Sequence, residues 1–430
     1  MPGNYIITLL ALLIYFTTFF TGVKDQNPLR TPGQSGYTAP KTEAPRYGTV
    51  SAVSAQLRTG LKNSTIMSSL PQGTGLQIMG SSGQWYNVKT SDGQTGWVAK
   101  WLVKTDAAGS NIRLGDKEVA VYYSPSSSWD NTGLNSLRIN AKQITSLVPF
   151  SFQINQYGNI QDKHQAIPVQ LAKSRGVRTI ALIHNIQGSI FSGNTAHNLL
   201  TNAKNRRNAI DNILTILSRY GYAGVNIDFE NVKSNDRWAF TLFIKEMSYR
   251  LHAKGYLATA SIPAKTFDNP SENWSGAYDY RALGMYLDQI MIMTYDQHTA
   301  DSNPGPVASY SWVRKVIRYA VTVIPRQKVL MGIAGYGYDW PRLGKGKAIT
   351  FVQIDSLVKR LHILPQWDAQ NMVPHFTYWK NGLSHKVYYE NNQSLKAKLN
   401  VIHEFGIRGV ALWRLGQEDP LIWTILGQYL

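Results

Sequence analysis

Gly221 to Val232 reads GYAGVNIDFENV, a run in which apolar and polar residues alternate with the period of a β-strand. Val225, Ile227 and Phe229 fall on one face, and Asn226, Asp228 and Glu230 fall on the other. A buried strand has no packing use for two acids on one face. Carboxylates two residues apart on a strand lie roughly 6–7 Å apart at the backbone, from a rise of about 3.3 Å per residue, so their charges interact. One of the two must resist ionising.

Working outward, strand-like and helix-like runs alternate from about Asp106 to the end of the chain, the pattern of parallel βα units. Eight strands are expected, at Glu118–Tyr123, Ile144–Phe150, Val177–Ile183, Ala223–Glu230, Tyr256–Ile262, Asp288–Thr294, Lys328–Ala334 and Arg408–Trp413. Between the third and fourth, Ile210, Ile213, Leu214 and Leu217 form a helical stripe that ends at Gly221. The next helix carries Phe240, Ile244, Met247 and Leu251 and stops at Gly255, and another covers Trp312 to Ala320. The fold class is therefore α/β, a (β/α)₈ barrel over residues 112–430 whose active site lies at the C-terminal strand ends, where Glu230 stands. The longest connection, Gly335 to Ile407, has strand-like pieces of its own at Ala348–Phe351, Pro374–Tyr378 and Lys386–Tyr389. It predicts a small insertion between strands seven and eight that walls one side of the cleft.

The N-terminal part is different in kind. Tyr5 to Val23 is an uncharged, largely apolar run, so residues 1–23 read as a signal peptide or a membrane anchor. Neither a preceding basic residue nor a small-x-small cleavage site decides between the two, and Lys24 and Arg30 downstream oppose export by the positive-inside tendency. The length of the apolar run outweighs two charges, and an extracytoplasmic location is expected. Residues 24–45, rich in Pro, Thr, Gly and Gln, read as a linker. Residues 46–105 break into short β-like pieces separated by Gly and Ser, which predicts a small all-β barrel.

Composition sets bounds on the chemistry. The 430 residues contain no Cys, which excludes thiolate catalysis, disulfides and Cys-ligated metals. The formal charge of +18 is spread along the chain, with nine Lys or Arg against three Asp or Glu in residues 1–105. A spread excess of this kind gives a solvated basic surface or attraction to an anionic matrix such as a bacterial wall. No nucleic-acid partner is expected, because the basic residues cluster only at Arg206-Arg207 and Lys345 to Lys347 and no nucleic-acid-binding motif accompanies them. No metal spacing and no cofactor motif is present. His184 and His298, which follow the third and sixth strands, read as hydrogen-bonded fixtures.

Two resemblances follow from these residues. Leu57-Arg58-Thr59-Gly60, Gly73-Thr74, Trp85-Tyr86-Asn87-Val88 and Gly96-Trp97-Val98 resemble the bacterial SH3-like domain. That implies a targeting module for cell-wall peptide or glycan; the competing reading is a passive spacer with Trp85 and Trp97 as core. From about Val119 onward the chain resembles glycoside hydrolase family 18, the chitinase-like barrels. The family's fourth-strand motif, Asp-Gly-x-Asp-x-Asp-x-Glu, aligns with Ala223 to Glu230, joined by Met293-Thr294-Tyr295-Asp296, Gly335-Tyr336-Gly337-Tyr338 and Trp413. Ala223 and Asn226 replace the first and middle Asp. GVNIDFENV, PGPVASYSWVRKVIRYA and RGVALWRLGQEDP resemble the bacterial branch of spore-cortex and cell-wall N-acetylglucosaminidases.

A glycosidase must protonate a leaving oxygen, and a Glu beside a second carboxylate has its pKa raised toward neutrality, which makes Glu230 the general acid. Two acids leaving one strand on one face are badly placed to flank a sugar from opposite sides. The substrate's own 2-acetamido carbonyl resolves that difficulty as nucleophile, the mechanism the resemblance implies. Asp228 would then orient the acetamido N–H and Tyr295 would bond its oxygen. Trp413 would floor the subsite; by resemblance Met293 and Asp296 line it, and Asn226 joins it through a hydrogen bond to Asp228. Trp129, Trp274 and Trp340 follow strands on the same face, as binding or packing residues. The expected partner is an N-acetylglucosamine-containing polysaccharide. Peptidoglycan or a related wall glycan is the first reading and chitin the second. A non-catalytic carbohydrate-binding barrel and a wall-bound scaffold are the others.

Overall fold

The computed structural model describes residues 46–52, 54–61, 64–90, 92–105 and 117–429. The apolar run and linker of residues 1–45 lie outside the described residues. Among those described, no helix is long and apolar enough to cross a membrane. The chain divides into two compact units, each taken by itself.

The N-terminal unit is a seven-stranded antiparallel sheet. Its strands lie in the spatial order Ile66–Pro71, Ser54–Arg58, Thr95–Ala99, Trp85–Thr90, Gly75–Ser82, Arg46–Val50 and Val103–Thr105. Alternation sends Leu57, Leu76, Ile78, Val88 and Val98 inward to one core. Trp85 and Trp97 are not part of that core; they occupy the other side of their strands, half-buried. The strand Ile66–Pro71 escaped the sequence pattern because four of its six residues are exposed.

In the C-terminal unit eight parallel strands close into a barrel: β1 (Glu118–Tyr123), β2 (Ser146–Ile154), β3 (Arg178–His184), β4 (Gly224–Asp228), β5 (Leu257–Pro263), β6 (Gln289–Met293), β7 (Val329–Ala334) and β8 (Gly409–Trp413). β8 pairs in parallel with β1, and β1 with β2, which completes the ring. The outward faces pack against the surrounding helices in one large core that includes Val225, Ile227 and Phe229. The helix Ala203–Tyr220 presents Ile210, Ile213 and Leu217 to it and ends at Gly221, whose φ of 62° is the left-handed cap conformation. The barrel interior is filled by a second apolar layer that includes Ala120, Tyr122, Val148, Leu182, Met291 and Leu330.

The bottom of the barrel is closed by charge. Glu118, fully buried, accepts hydrogen bonds from Arg178 Nη2 at 3.0 Å, Thr145 Oγ1 at 2.7 Å and Gln289 Nε2 at 3.0 Å, with Arg408 Nε at 3.8 Å. Every partner comes from a strand start or the residue before it, so the network ties β1, β2, β3, β6 and β8 together.

Between β7 and β8 an antiparallel five-stranded sheet is inserted, with Tyr336–Pro341 and Leu383–Tyr389 near its centre and the helix Phe351–Arg360 on one face. The expected pieces at Ala348–Phe351, Pro374–Tyr378 and Lys386–Tyr389 all fall within or beside it. The Gly-Tyr-Gly-Tyr motif proves to be the start of its strand Tyr336–Pro341, and Tyr336, Tyr338 and Trp340 pack with Tyr295 and Trp413. That aromatic cluster fastens the insertion to the cleft.

Candidate active site

β4 is shorter than its sequence pattern suggests. The ladder stops at Asp228, and the chain turns away at Asn231, whose φ is 56°. What replaces the ladder is a side chain: Asn185, fully buried after β3, accepts from Glu230 N at 3.0 Å and donates to Glu230 O at 2.9 Å. Tyr278 adds a bond from its hydroxyl to Phe229 O at 2.6 Å, and Asn231 Nδ2 donates to Phe191 O at 2.9 Å. The segment carrying the acid is thus held by two neighbouring loops, those after β3 and β5, which bond Phe229 O and both backbone groups of Glu230 without a strand.

Both acids are nearly buried, Asp228 at 4% and Glu230 at 7% exposure. Among the described residues neither has a cationic partner. Desolvation alone raises the Asp228 pKa to about 7. Desolvation also raises Glu230, and the charges of Asp228 and then Asp296 push it further. The proton shared by the pair therefore belongs on Glu230 while the negative charge sits on Asp228.

Tyr295 follows β6 half-buried, and its pKa is driven upward by desolvation and by Tyr122, Asp228, Asp296 and Glu230, so its hydroxyl keeps its proton. That hydroxyl bonds to no described residue. The ring fits only because β7 carries Gly332 beside it, where a Cβ would come within 2.9 Å of Tyr295 Cε1 and 2.5 Å of Ile292 O. Asp296, at a φ of 58°, accepts from Tyr336 at 2.6 Å and Tyr338 at 2.9 Å. Desolvation raises its pKa in spite of those two bonds, which act to lower it.

Trp413 ends β8 half-buried, its ring centroid 5.3 Å from Tyr122 and 5.7 Å from Phe150. Phe150 in turn stacks on His184 at 4.5 Å. Burial, followed by the charge of Lys163, lowers the His184 pKa to about 3, so this ring is a neutral packing element that accepts from Ile186 N. His298 bonds Pro306 O. Among the described residues no cluster of acids and histidines could hold a metal.

Asn226 departs from expectation. It is fully buried inside the barrel, donates to Thr259 Oγ1 at 3.2 Å and Met291 Sδ at 3.1 Å, and accepts from Ser261 Oγ at 2.8 Å. It neither bonds Asp228 nor reaches the cleft wall, because two residues along a strand is a full layer deeper in the barrel. Ser261 Oγ lies 2.7 Å from the Tyr122 hydroxyl, so a neutral polar chain underlies the acids. Met293 is half-buried at the end of β6 and takes no part in these bonds. Trp340 is buried and donates to Thr299 O at 2.9 Å, a packing role; Trp274 is half-buried, and Trp129 is 86% exposed.

Sequence reasoning missed Asn185, Tyr122, Phe150, Ser261 and Tyr278. Each acts through a contact more than thirty residues away, and only His184-Asn185 directly after a strand offered a local cue.

Residues 118–418 match the glycosyl hydrolases family 18. The chain is a family 18 glycosyl hydrolase. Residues 55–104 match the bacterial SH3 domain. The chain is 30% identical over 339 residues to the uncharacterized glycosylase YvbX of Bacillus subtilis, covering 76% of this chain and 98% of that protein. Its likeness to the cortical fragment-lytic enzyme of Bacillus anthracis is 30% over 305 residues, 68% of this chain and 70% of the relative. In three dimensions it resembles the Bacillus cereus spore cortex-lytic enzyme SleL, with a TM-score of 0.70 at 29% identity over 73% of this chain and 74% of that one. A chitinase from Chromobacterium violaceum superposes with a TM-score of 0.68 at 29% identity, over 73% and 98% of the two chains. As a glycosidase of family 18, this barrel turns its acids toward a glycan.

Proposed function

We propose that the chain is an extracytoplasmic glycosidase that cleaves β-1,4 bonds beside N-acetylglucosamine in peptidoglycan or a related wall glycan, with the substrate's 2-acetamido group as nucleophile. The observation that carries this reading is the pair itself: Glu230 keeps a proton beside an anionic Asp228, and no cation among the described residues neutralises either. The third carboxylate, Asp296, is engaged by two tyrosine hydroxyls, and Asp228 leaves the same strand as the acid, on the same face, which is poor placement for a nucleophile across the sugar.

In the first step Glu230 gives its proton to the glycosidic oxygen as the acetamido carbonyl oxygen attacks C1 and the C1–O bond breaks. Asp228 accepts the acetamido N–H and balances the positive charge of the oxazolinium ion, while Tyr295 donates to the attacking oxygen. Water then adds to C1 from the face the leaving group vacated as the C1–O bond of the oxazolinium ring breaks, which restores the 2-acetamido group. Glu230, now the carboxylate, takes its proton, and configuration is retained. Trp413 supplies a flat apolar floor for the pyranose.

The wall assignment draws on the cortex-lytic relatives and on the SH3 unit, which serves as a wall-binding module; residues 1–23 serve export or anchoring. Purified peptidoglycan strands and chitin oligomers, digested in parallel with mass analysis of the products, test the substrate. Release from chitin but none from peptidoglycan would overturn the wall assignment. De-N-acetylated strands lack the nucleophile and should be cut at least about a thousandfold more slowly; equal rates would sink the mechanism.

A further inference from the structure

The outward side of the SH3 unit carries an aromatic face that the catalytic reading does not use. Trp97 pairs across the sheet with Asn87 on one side and Arg58 on the other, and Trp85 lies two residues from Asn87 on the same strand face. Trp101 packs against Trp85 at 5.9 Å and is 55% exposed. The Arg58 guanidinium lies 5.9 Å over the Trp85 ring, and its one hydrogen bond to a described residue runs from Nη2 to Gln56 Oε1 at 2.7 Å. Three indoles and a cation thus share one side of a sheet whose other side already holds a complete apolar core.

Charge narrows the ligand. Residues 46–105 contain six Lys or Arg and a single acid, Asp92. That acid is occupied at its hairpin tip by Thr90 and Gln94. Among the described residues of its unit Arg58 therefore meets no carboxylate, and a planar guanidinium held by an indole is preorganised to bind one. Trp85 and Trp97 stand on interior strands of the sheet, which have a paired neighbour on both sides, and Trp101 on the helical turn Lys100–Leu102 that follows. An extended peptide adding by strand pairing would need an edge. Flat rings away from the sheet edges instead offer stacking surfaces suited to the apolar faces of pyranoses.

We propose that Trp85, Trp97, Trp101 and Arg58 form a binding site for an acidic amino-sugar strand, with the indoles under successive sugars and Arg58 on a sugar-borne carboxylate. The proposal rests on the wall-glycan reading above and specifies how the chain holds the polymer it cuts. Tethering both units to one strand raises the local concentration of bonds at the barrel without adding a contact there.

Retention is measured with the full chain carrying Glu230→Gln, so that the polymer is not consumed, on insoluble glycan strands freed of peptide stems. Adding Trp97→Ala with Trp101→Ala should weaken retention by at least about tenfold. Arg58→Gln, which keeps every indole, should weaken it about threefold and abolish sensitivity to carbodiimide amidation of the strand carboxylates. Undiminished retention by these variants would overturn the site. So would displacement by free peptide stems or by a single-stranded oligonucleotide as effective as displacement by glycan strands. The same substitutions in the chain that retains Glu230 should leave hydrolysis of soluble N-acetylglucosamine oligomers within about twofold. Retention through this face with no cleavage of those strands by the unsubstituted chain would support the site and sink the catalytic assignment instead.

Discussion

At the bottom of the barrel Glu118 is surrounded by Arg178, Arg408, Thr145 and Gln289, whereas at the top Asp228 and Glu230 are almost as deeply buried and have no cationic partner among the described residues. The first arrangement gives a buried carboxylate hydrogen bonds and nearby guanidinium groups that offset its desolvation. In the second, desolvation is left standing and appears as raised pKa values. One end of the barrel uses a buried acid for cohesion, and the other keeps a buried acid protonated for work.

The contrast breaks most visibly at Glu230. Glu230→Gln should lower kcat by at least about 10³-fold, the scale of losing a general acid, while denaturant unfolding changes by less than about 1 kcal/mol. Glu118→Ala should do the reverse. Stranding buried guanidinium groups should cost about 3–5 kcal/mol in unfolding free energy, and the protein that remains folded should keep its kcat.

Asn185→Ala removes the two bonds that hold Glu230's backbone. A fall in kcat of about tenfold or more with little change in KM is expected, since the lost bonds position the acid without touching sugar. An unchanged kcat would show that Tyr278 and Asn231 suffice.

The pH dependence separates the two carboxylates around Glu230. Its pKa is raised chiefly by desolvation, then by the charge of Asp228 and after it Asp296, so Asp228→Asn should move the alkaline limb of the residual activity to lower pH, and Asp296→Asn should move it less. Stability carries the same information. Because the folded pKa of Asp228 is raised to about 7 from an ordinary 3.8, the folded state binds the extra proton. Unfolding free energy is therefore lost as pH rises between about 4 and 7 and is level above that, a slope Asp228→Asn should reduce. The smallest effect is expected from Ala223→Asp. Ala223 precedes β4 and Glu230 lies beyond its end, so the five-residue strand, about 16 Å long, separates them and activity should change by no more than about twofold. A large gain would show that the missing first Asp impairs this barrel.

Much of this was legible in linear order. Val225, Ile227 and Phe229 alternating with Asn226, Asp228 and Glu230 marks a two-faced strand, and each of the eight expected strands overlaps an observed one. Hydrophobic period and helix-ending glycines such as Gly221 are local properties, so they survive without knowledge of what lies across the barrel. Partner choice does not. Trp85 and Trp97 read equally well as core or as surface until the sheet assigned Leu57, Val88 and Val98 to the inside. Asn226 matched a motif position, yet Ser261 and Thr259 on β5 claim its amide.

By itself the sequence determined the barrel's order of elements, the strand that carries the acids and the residue types able to do the chemistry. Tertiary structure alone decided where the proton rests. A carboxyl's pKa depends on what is desolvated around it and which charges converge from other strands. Asp296, which adds to Glu230's shift, stands on a different strand end, 66 residues along the chain.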